Sequence, residues 1–210
     1  MEYQPLKYIY IPSAQENAKT LLLLHGTGGD ENDLIPIGLQ FGEHYNILSV
    51  RGNVFEYGMP RFFKRLGMGI FDEKDLAFRT AELIHFLKEV AAKENFDVTK
   101  MIALGYSNGA NIAGAILVTA PDFLAGAVLF RPMQPFKNLP AFKTTTKPGL
   151  FLSSGQFDPT VEGEATRNYL KALTDGGFQV NSYSLNAGHN LTQEDIELAK
   201  EWLVGFTGQA

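Results

Sequence analysis

Short apolar runs alternate along this chain with longer stretches whose apolar positions recur every three or four residues. Tyr8–Ile11 is an aromatic and β-branched run stopped by Pro12, which predicts an edge strand. Residues 20–25 (Thr-Leu-Leu-Leu-Leu-His) are almost continuously apolar, as a strand covered on both faces requires. Further strands are predicted at Asn46–Val50, from Met101 to Gly105, at Gly126–Phe130, over 149–153 and at Gln179–Leu185. Between them lie helical periods. Asp72 reads as an N-cap ahead of a stripe made of Leu76, Leu83, Ile84, Leu87, Val90 and Ala91. Residues 163–174 form a second helical stretch, stopped by Gly176-Gly177. Thr192, with Asp195 three residues on, predicts a capping box for a closing helix that buries Ile196, Ala199, Leu203 and Phe206. Residues 30–40 predict a short helix, against the presence of Pro36. Strands alternating with helices imply an α/β fold. We expect a mainly parallel central sheet of about seven strands with helices on both faces, built as one domain over residues 1–210.

The stretch from Met101 to Ala110 carries the sharpest local signal. Its apolar run ends at Gly105, Ser107 follows between Gly105 and Gly109, and from Asn108 the pattern turns helical. Strand and helix can pack tightly around such a turn only where the flanking positions lack bulk. The serine is then held in a strained backbone conformation with its hydroxyl above the sheet edge.

Composition removes several classes of function. With 45% hydrophobic residues the chain is globular, and its formal charge of −5 comes without any Lys/Arg block, so nucleic acid finds no electrostatic footprint. No cysteine is present, which excludes disulfides, thiolate metal sites and a cysteine nucleophile. No apolar run approaches the roughly 18 residues of a membrane span, and no basic-then-apolar leader opens the sequence. A cytoplasmic protein without a membrane partner or cofactor is the expectation.

A serine hydroxyl needs a base, and the base needs an orienting group. Reactive groups in parallel sheets gather beyond the carboxyl ends of strands. Of four histidines, His44 precedes a strand, His85 lies within a helix and His25 belongs to a glycine-rich loop. His189, in Asn186-Ala-Gly-His-Asn190, directly follows the last strand. Asp158, in Ser154-Gly-Gln-Phe-Asp-Pro159, follows another, whereas Asp122 follows a helix and Asp195 starts one. The order Ser107, Asp158, His189 is that of a Ser-Asp-His triad on post-strand loops. Charge developing on a carbonyl oxygen calls for fixed donors, and the backbone N–H groups of Asn108 and Thr27 are the candidates. The loop His25-Gly26-Thr27-Gly28-Gly29 lacks both the Lys-Ser/Thr ending of a P-loop and a dinucleotide spacing.

Leu24-His-Gly-Thr-Gly-Gly-Asp30, Gly105-Tyr-Ser-Asn-Gly-Ala110, Gly155-Gln-Phe-Asp-Pro159 and Gly188-His189 together resemble the phospholipase/carboxylesterase family of small α/β-hydrolases, over nearly the whole chain. Arg51-Gly52 and Gly58-Met-Pro-Arg-Phe-Phe63 are similar to the bacterial carboxylesterase branch in particular. The resemblance implies a serine hydrolase acting on a small-molecule ester, with the same triad and oxyanion donors. Thioesterase members usually carry Gln after the nucleophile and Asp-x-Val-Val-Pro in the acid loop. This chain has Asn108 and Asp158-Pro-Thr-Val-Glu162, which favours a small-ester esterase over protein deacylation, a thioesterase or a lysophospholipase. Relatives often pair, so a homodimer stays open, although no patch in the sequence identifies an interface. Some relatives carry dioxygenase labels. With no cysteine and no His/carboxylate cluster at iron-binding spacing, a metal site is not expected. A non-catalytic hydrolase-like binding protein is the remaining alternative.

The connector 131–148 is too short for a bulky lid domain. Residues 53–71 have no period of either kind but are rich in aromatics, and following a strand they should lie near Ser107. Phe62, Phe63 and Met68 are candidate pocket residues, the alternative being that they belong to the core. Arg61, Lys64 and Arg65 are expected on a solvated face rather than against a carboxylate-bearing substrate.

Overall fold

The computed structural model describes residues 2–67 and 69–208. The apolar runs become strands because each can bury both faces. In β2 (Thr20–Leu24), Leu21 and Leu23 pack into one core layer while Leu22 and Leu24 pack into the other. The same two-residue alternation divides β8 (Met101–Tyr106), with Ile102 and Leu104 on one side and Met101 and Ala103 on the other.

A seven-stranded sheet results, in the order β1 (Tyr8–Ile11), β3 (Asn46–Val50), β2, β8, β9 (Gly126–Phe130), β10 (Gly149–Gly155) and β11 (Gln179–Leu185). The edge strand β1 pairs antiparallel with β3, and every other pairing is parallel. In register, Leu24 lies opposite Gly105, Tyr106 opposite Phe130, Phe130 opposite Ser153 and Gly155 opposite Leu185. The loops that follow β2, β8, β10 and β11 therefore emerge along one rim.

Helices cover both faces. α2 (Glu73–Glu94), α3 (Asn108–Thr119) and α4 (Gly163–Asp175) contribute to the larger core layer, α5 (Gln193–Thr207) to the other. α2 starts where Asp72 accepts from the Asp75 N–H, and α5 starts with the full Thr192/Asp195 capping box. The expected helix over 30–40 is reduced to one turn, α1 (Ile35–Gly38), and a following 3₁₀ turn. Pro36 sits in the first turn, where its missing N–H costs nothing, and hydrogen bonds of the 3₁₀ type follow.

The aperiodic segment 53–71 folds into two small antiparallel hairpins. β4 (Val54–Glu56) pairs with β5 (Met59–Arg61), and β6 (Arg65–Gly67) with β7 (Ile70–Phe71). Long-range bonds hold them to the rim: Gly28 N–H donates to the Pro60 carbonyl at 2.9 Å, and Phe62 N–H donates to Asn108 Oδ1 at 2.7 Å.

Candidate active site

The turn from β8 into α3 is as tight as its glycines allow. Ser107 has φ 51° and ψ −111°, a left-handed conformation that costs a serine of order 1–3 kcal/mol. A Cβ on Gly105 would stand 2.7 Å from the Ala110 nitrogen, and one on Gly109 would run into the Leu24 carbonyl. The Ser107 N–H donates to the Phe130 carbonyl at 2.9 Å, which pins the turn to the next strand.

His189 Nε2 lies 2.8 Å from Ser107 Oγ, and its Nδ1 lies 2.7 Å from Asp158 Oδ2. A carboxylate at Nδ1 calls for the proton there and leaves Nε2 free to accept from the serine. Thr160, not singled out by the sequence, completes this group. Its hydroxyl donates to Asp158 Oδ1 at 2.6 Å and lies 3.0 Å from His189 Nδ1, while its N–H reaches the same Oδ1 at 2.8 Å. Burial pushes the Asp158 carboxyl up, but the bonds from Thr160 and His189 outweigh burial and hold it below the ordinary range. The acid loop and histidine loop fit closely, since a Cβ on Gly155 would overlap the carbonyls of Ala187 and Gly188.

A second, fully buried network anchors the histidine loop. Arg131 and Asp195, both 0% exposed, form a two-point ion pair with both N···O distances 2.7 Å. Arg131 also donates to the carbonyls of Gly188 and Asn190, each at 3.1 Å, and to Ser153 Oγ at 2.9 Å. Burial raises the Asp195 carboxyl, and the bonds from Arg131, Ser153 and Thr192 more than reverse it. Asp195 thus holds the rim as well as capping α5. Its capping box was legible in the sequence. Nothing local marks Arg131.

Thr27 and Asn108 both border the cleft, and neither backbone N–H has a protein acceptor among the described residues. The loop carrying Thr27 is held by His25, which is 1% exposed. Its Nδ1–H donates to the Gly26 carbonyl at 2.6 Å, and Nε2 accepts from the Gly52 N–H at 3.0 Å. Burial pushes the His25 pKa down, against the Gly26 bond, which favours this neutral form.

The cleft above Ser107 has a volume of about 260 Å³. Phe62 and Phe63 do not line it, which corrects the pocket expectation: they are 2% and 0% exposed and belong to the core. Phe62 packs against His25 with ring centroids 4.7 Å apart and the rings tilted by 35°, and Phe63 meets Phe71 edge-on at 5.0 Å. Phe71, Met133 and Tyr106 supply the apolar wall instead. Met68 lies outside the described residues. Arg61 and Arg65 also line the cleft, and Arg61 is only 4% exposed, so the solvated face expected of them is replaced by a place in its wall. Among the described residues no three His, Asp or Glu side chains gather as metal ligands, and no helix is long and apolar enough to cross a membrane.

No family model matches the sequence. MhqD of Bacillus subtilis, which carries the name of a hydrolase, is 44% identical over 197 residues, 94% of this chain and 97% of that protein. Acyl-protein thioesterase 1 of Candida albicans is 27% identical over 216 residues, 90% and 92% of the two chains. The crystal structure of the Bacillus cereus carboxylesterase superposes with a TM-score of 0.91 at 42% identity, covering 94% of this chain and 92% of that one. With relatives this similar across nearly their full length and the sheet they share, the chain belongs to the phospholipase/carboxylesterase family of α/β-hydrolases and is a carboxylesterase-type hydrolase.

Proposed function

We propose that the chain, working as one domain, is a serine esterase that cleaves small carboxylic esters through an acyl-enzyme on Ser107. One observation carries this reading: Ser107 Oγ, His189 and Asp158 stand in one relay of 2.8 and 2.7 Å at a strained strand-to-helix turn. His189 Nε2 takes the hydroxyl proton as Ser107 Oγ attacks the ester carbonyl. The negative oxygen that forms is met by the N–H groups of Thr27 and Asn108, each worth about 3–4 kcal/mol to such a transition state. His189 returns the proton to the departing alcohol, draws one from the water that attacks the acyl-serine, and passes that proton to Ser107 Oγ as the acid is released. Asp158 keeps the proton on Nδ1 and stabilises the imidazolium, and Thr160 steadies Asp158.

The volume of about 260 Å³ above the nucleophile suits a short acyl group. A thioesterase or lysophospholipase with the same relay is the second reading. It is favoured by an adjoining groove of about 740 Å³ that shares Phe71 and Met133 with the cleft and continues along Phe136. The cytoplasm and a pairing of two chains belong to the same proposal. Rates on p-nitrophenyl acetate, butyrate and a long-chain ester decide between the two readings. Ser107→Ala is expected to lower kcat by a factor of about 10⁴ or more and to abolish labelling by a fluorophosphonate probe. Equal rates for wild type and Ser107→Ala would remove the proposal.

A further inference from the structure

The side chains facing the cleft are unbalanced in charge. Arg61, Arg65 and Arg131 line it, and no Asp or Glu does among the described residues. The charge of Arg131 is consumed by Asp195. Arg61 and Arg65, in contrast, share one carboxylate. Arg61 Nε lies 3.3 Å from Glu56 Oε2 and Arg65 Nε 3.8 Å from the same oxygen. One positive charge is left over, in a wall where Arg61 is almost wholly withdrawn from water.

The donors are unbalanced as well. Arg61 is held in place by Nε donating to the Phe63 carbonyl at 3.2 Å and Nη1 to Thr27 Oγ1 at 2.6 Å, while its Nη2 has no protein partner among the described residues. Neither Nη of Arg65 has one either, although its backbone N–H is tied to Glu56 at 3.2 Å. Beside the nucleophile, Asn108 is 2% exposed. Its Oδ1 is committed to the Phe62 N–H at 2.7 Å, which settles the orientation of the amide, and its buried Nδ2 has no hydrogen-bond partner. A buried donor without an acceptor is costly, and Asn108 borders the same cleft as the two arginines. The free donors of the two guanidinium groups ask for oxygen acceptors with negative charge.

We propose that this wall is an anion subsite, and that the favoured substrates are esters carrying a second, free carboxylate, such as half-esters of short dicarboxylic acids. This rests on the serine-esterase reading and names its substrate class. Arg61 and Arg65 receive the free carboxylate, for which the planar guanidinium fork is suited. The Glu56 carboxylate holds both arginines in place while neutralising only one of them. The confined volume keeps the dicarboxylic acid short.

The test compares monoethyl succinate and monoethyl glutarate with their neutral carboxamide isosteres, following ethanol release. Wild type is expected to favour the charged esters by roughly tenfold or more in kcat/KM, the size of one charge-assisted hydrogen bond. Arg65→Gln is expected to collapse that ratio through KM, Arg61→Lys to lower it part of the way, and Arg65→Glu to turn it in favour of an ester bearing a quaternary ammonium. If a variant does not fold, the wild-type ratio itself is read between roughly 0.05 and 0.5 M salt, where screening should reduce it. A wild-type ratio near one overturns the subsite. So does a parallel fall of kcat on both esters in Arg65→Gln with the ratio unchanged, which would make the charge a support for the oxyanion or the fold. Wild type that cleaves no ester and resists the fluorophosphonate at Ser107 would instead remove the esterase reading beneath it.

Discussion

The strand ends and the twin hairpins meet over one cleft, but they are built on different terms. At the strand ends, each reactive group follows directly from a strand of the parallel sheet: Ser107 after β8, Asp158 after β10, His189 after β11. Pairing register along the sheet decides where they emerge, and backbone contacts such as Gly109 against Leu24 leave no slack. The hairpins of 54–71 have no such frame. They stay in place through isolated ties, the Pro60 carbonyl to Gly28 and the Phe62 N–H to Asn108, and through two buried phenylalanines. The difference teaches a division of labour. On the proposed reading, the sheet rim supplies the reaction, and an attached segment supplies the surface that a substrate meets.

That contrast can be attacked from both sides. The largest effect on folding is expected at the rim. Arg131→Met leaves the Asp195 carboxylate buried without its cation and should cost about 3–5 kcal/mol. In a chain of this length that is a fall of roughly 10 °C in Tm, read by thermal unfolding. Arg131→Met/Asp195→Asn, which keeps a capping acceptor, is expected to recover part of it. Were the single variant as stable as wild type, the pair would not be what secures the histidine loop.

A smaller effect separates the two sets of aromatics within the hairpins. Phe62→Leu should lower stability by about 1 kcal/mol and leave the acetate-to-butyrate preference as it was, since the ring packs on His25 behind the cleft. Phe71→Leu should change that preference with less loss of stability, because Phe71 borders both the cleft and the adjoining groove. Identical substrate profiles for the two variants would erase the distinction between core and wall.

The smallest effect comes from acid. Asp158 and Asp195 both have folded pKa values below their ordinary ones, so the folded state holds their protons less tightly than the unfolded chain. Their stabilising contribution is complete above the unfolded carboxylate range near 4 and is lost as pH falls through the lower folded values. Urea midpoints measured from pH 7 downwards should first ease below about pH 6.5, as the unfolded chain protonates the histidine that is buried neutral in the fold, and then fall more steeply below about pH 4 as the two carboxylates are lost. A midpoint that showed no further fall below about pH 4 would count against the two carboxylates.

What could be read from the residues alone was what depends on near neighbours in the chain. Apolar run length, the glycines around Ser107, the Asp72 cap and the Thr192/Asp195 box each act over a few positions, and they led to the sheet, the helices and the belonging to an α/β-hydrolase family. Even the histidine and acid at the rim were accessible, because a parallel sheet sends post-strand loops to the same end. Only the tertiary structure decided which face of the hairpins is buried. Phe62 and Phe63 carry no periodicity that tells core from cleft, and their burial comes from the core cluster they join, Phe62 meeting His25 from a loop 37 positions earlier. The same holds for Arg61, withdrawn into the wall, and for the pairing of Arg131 with Asp195, 64 positions apart. Burial of charge is settled by partners that come together through the fold, and no local pattern records them.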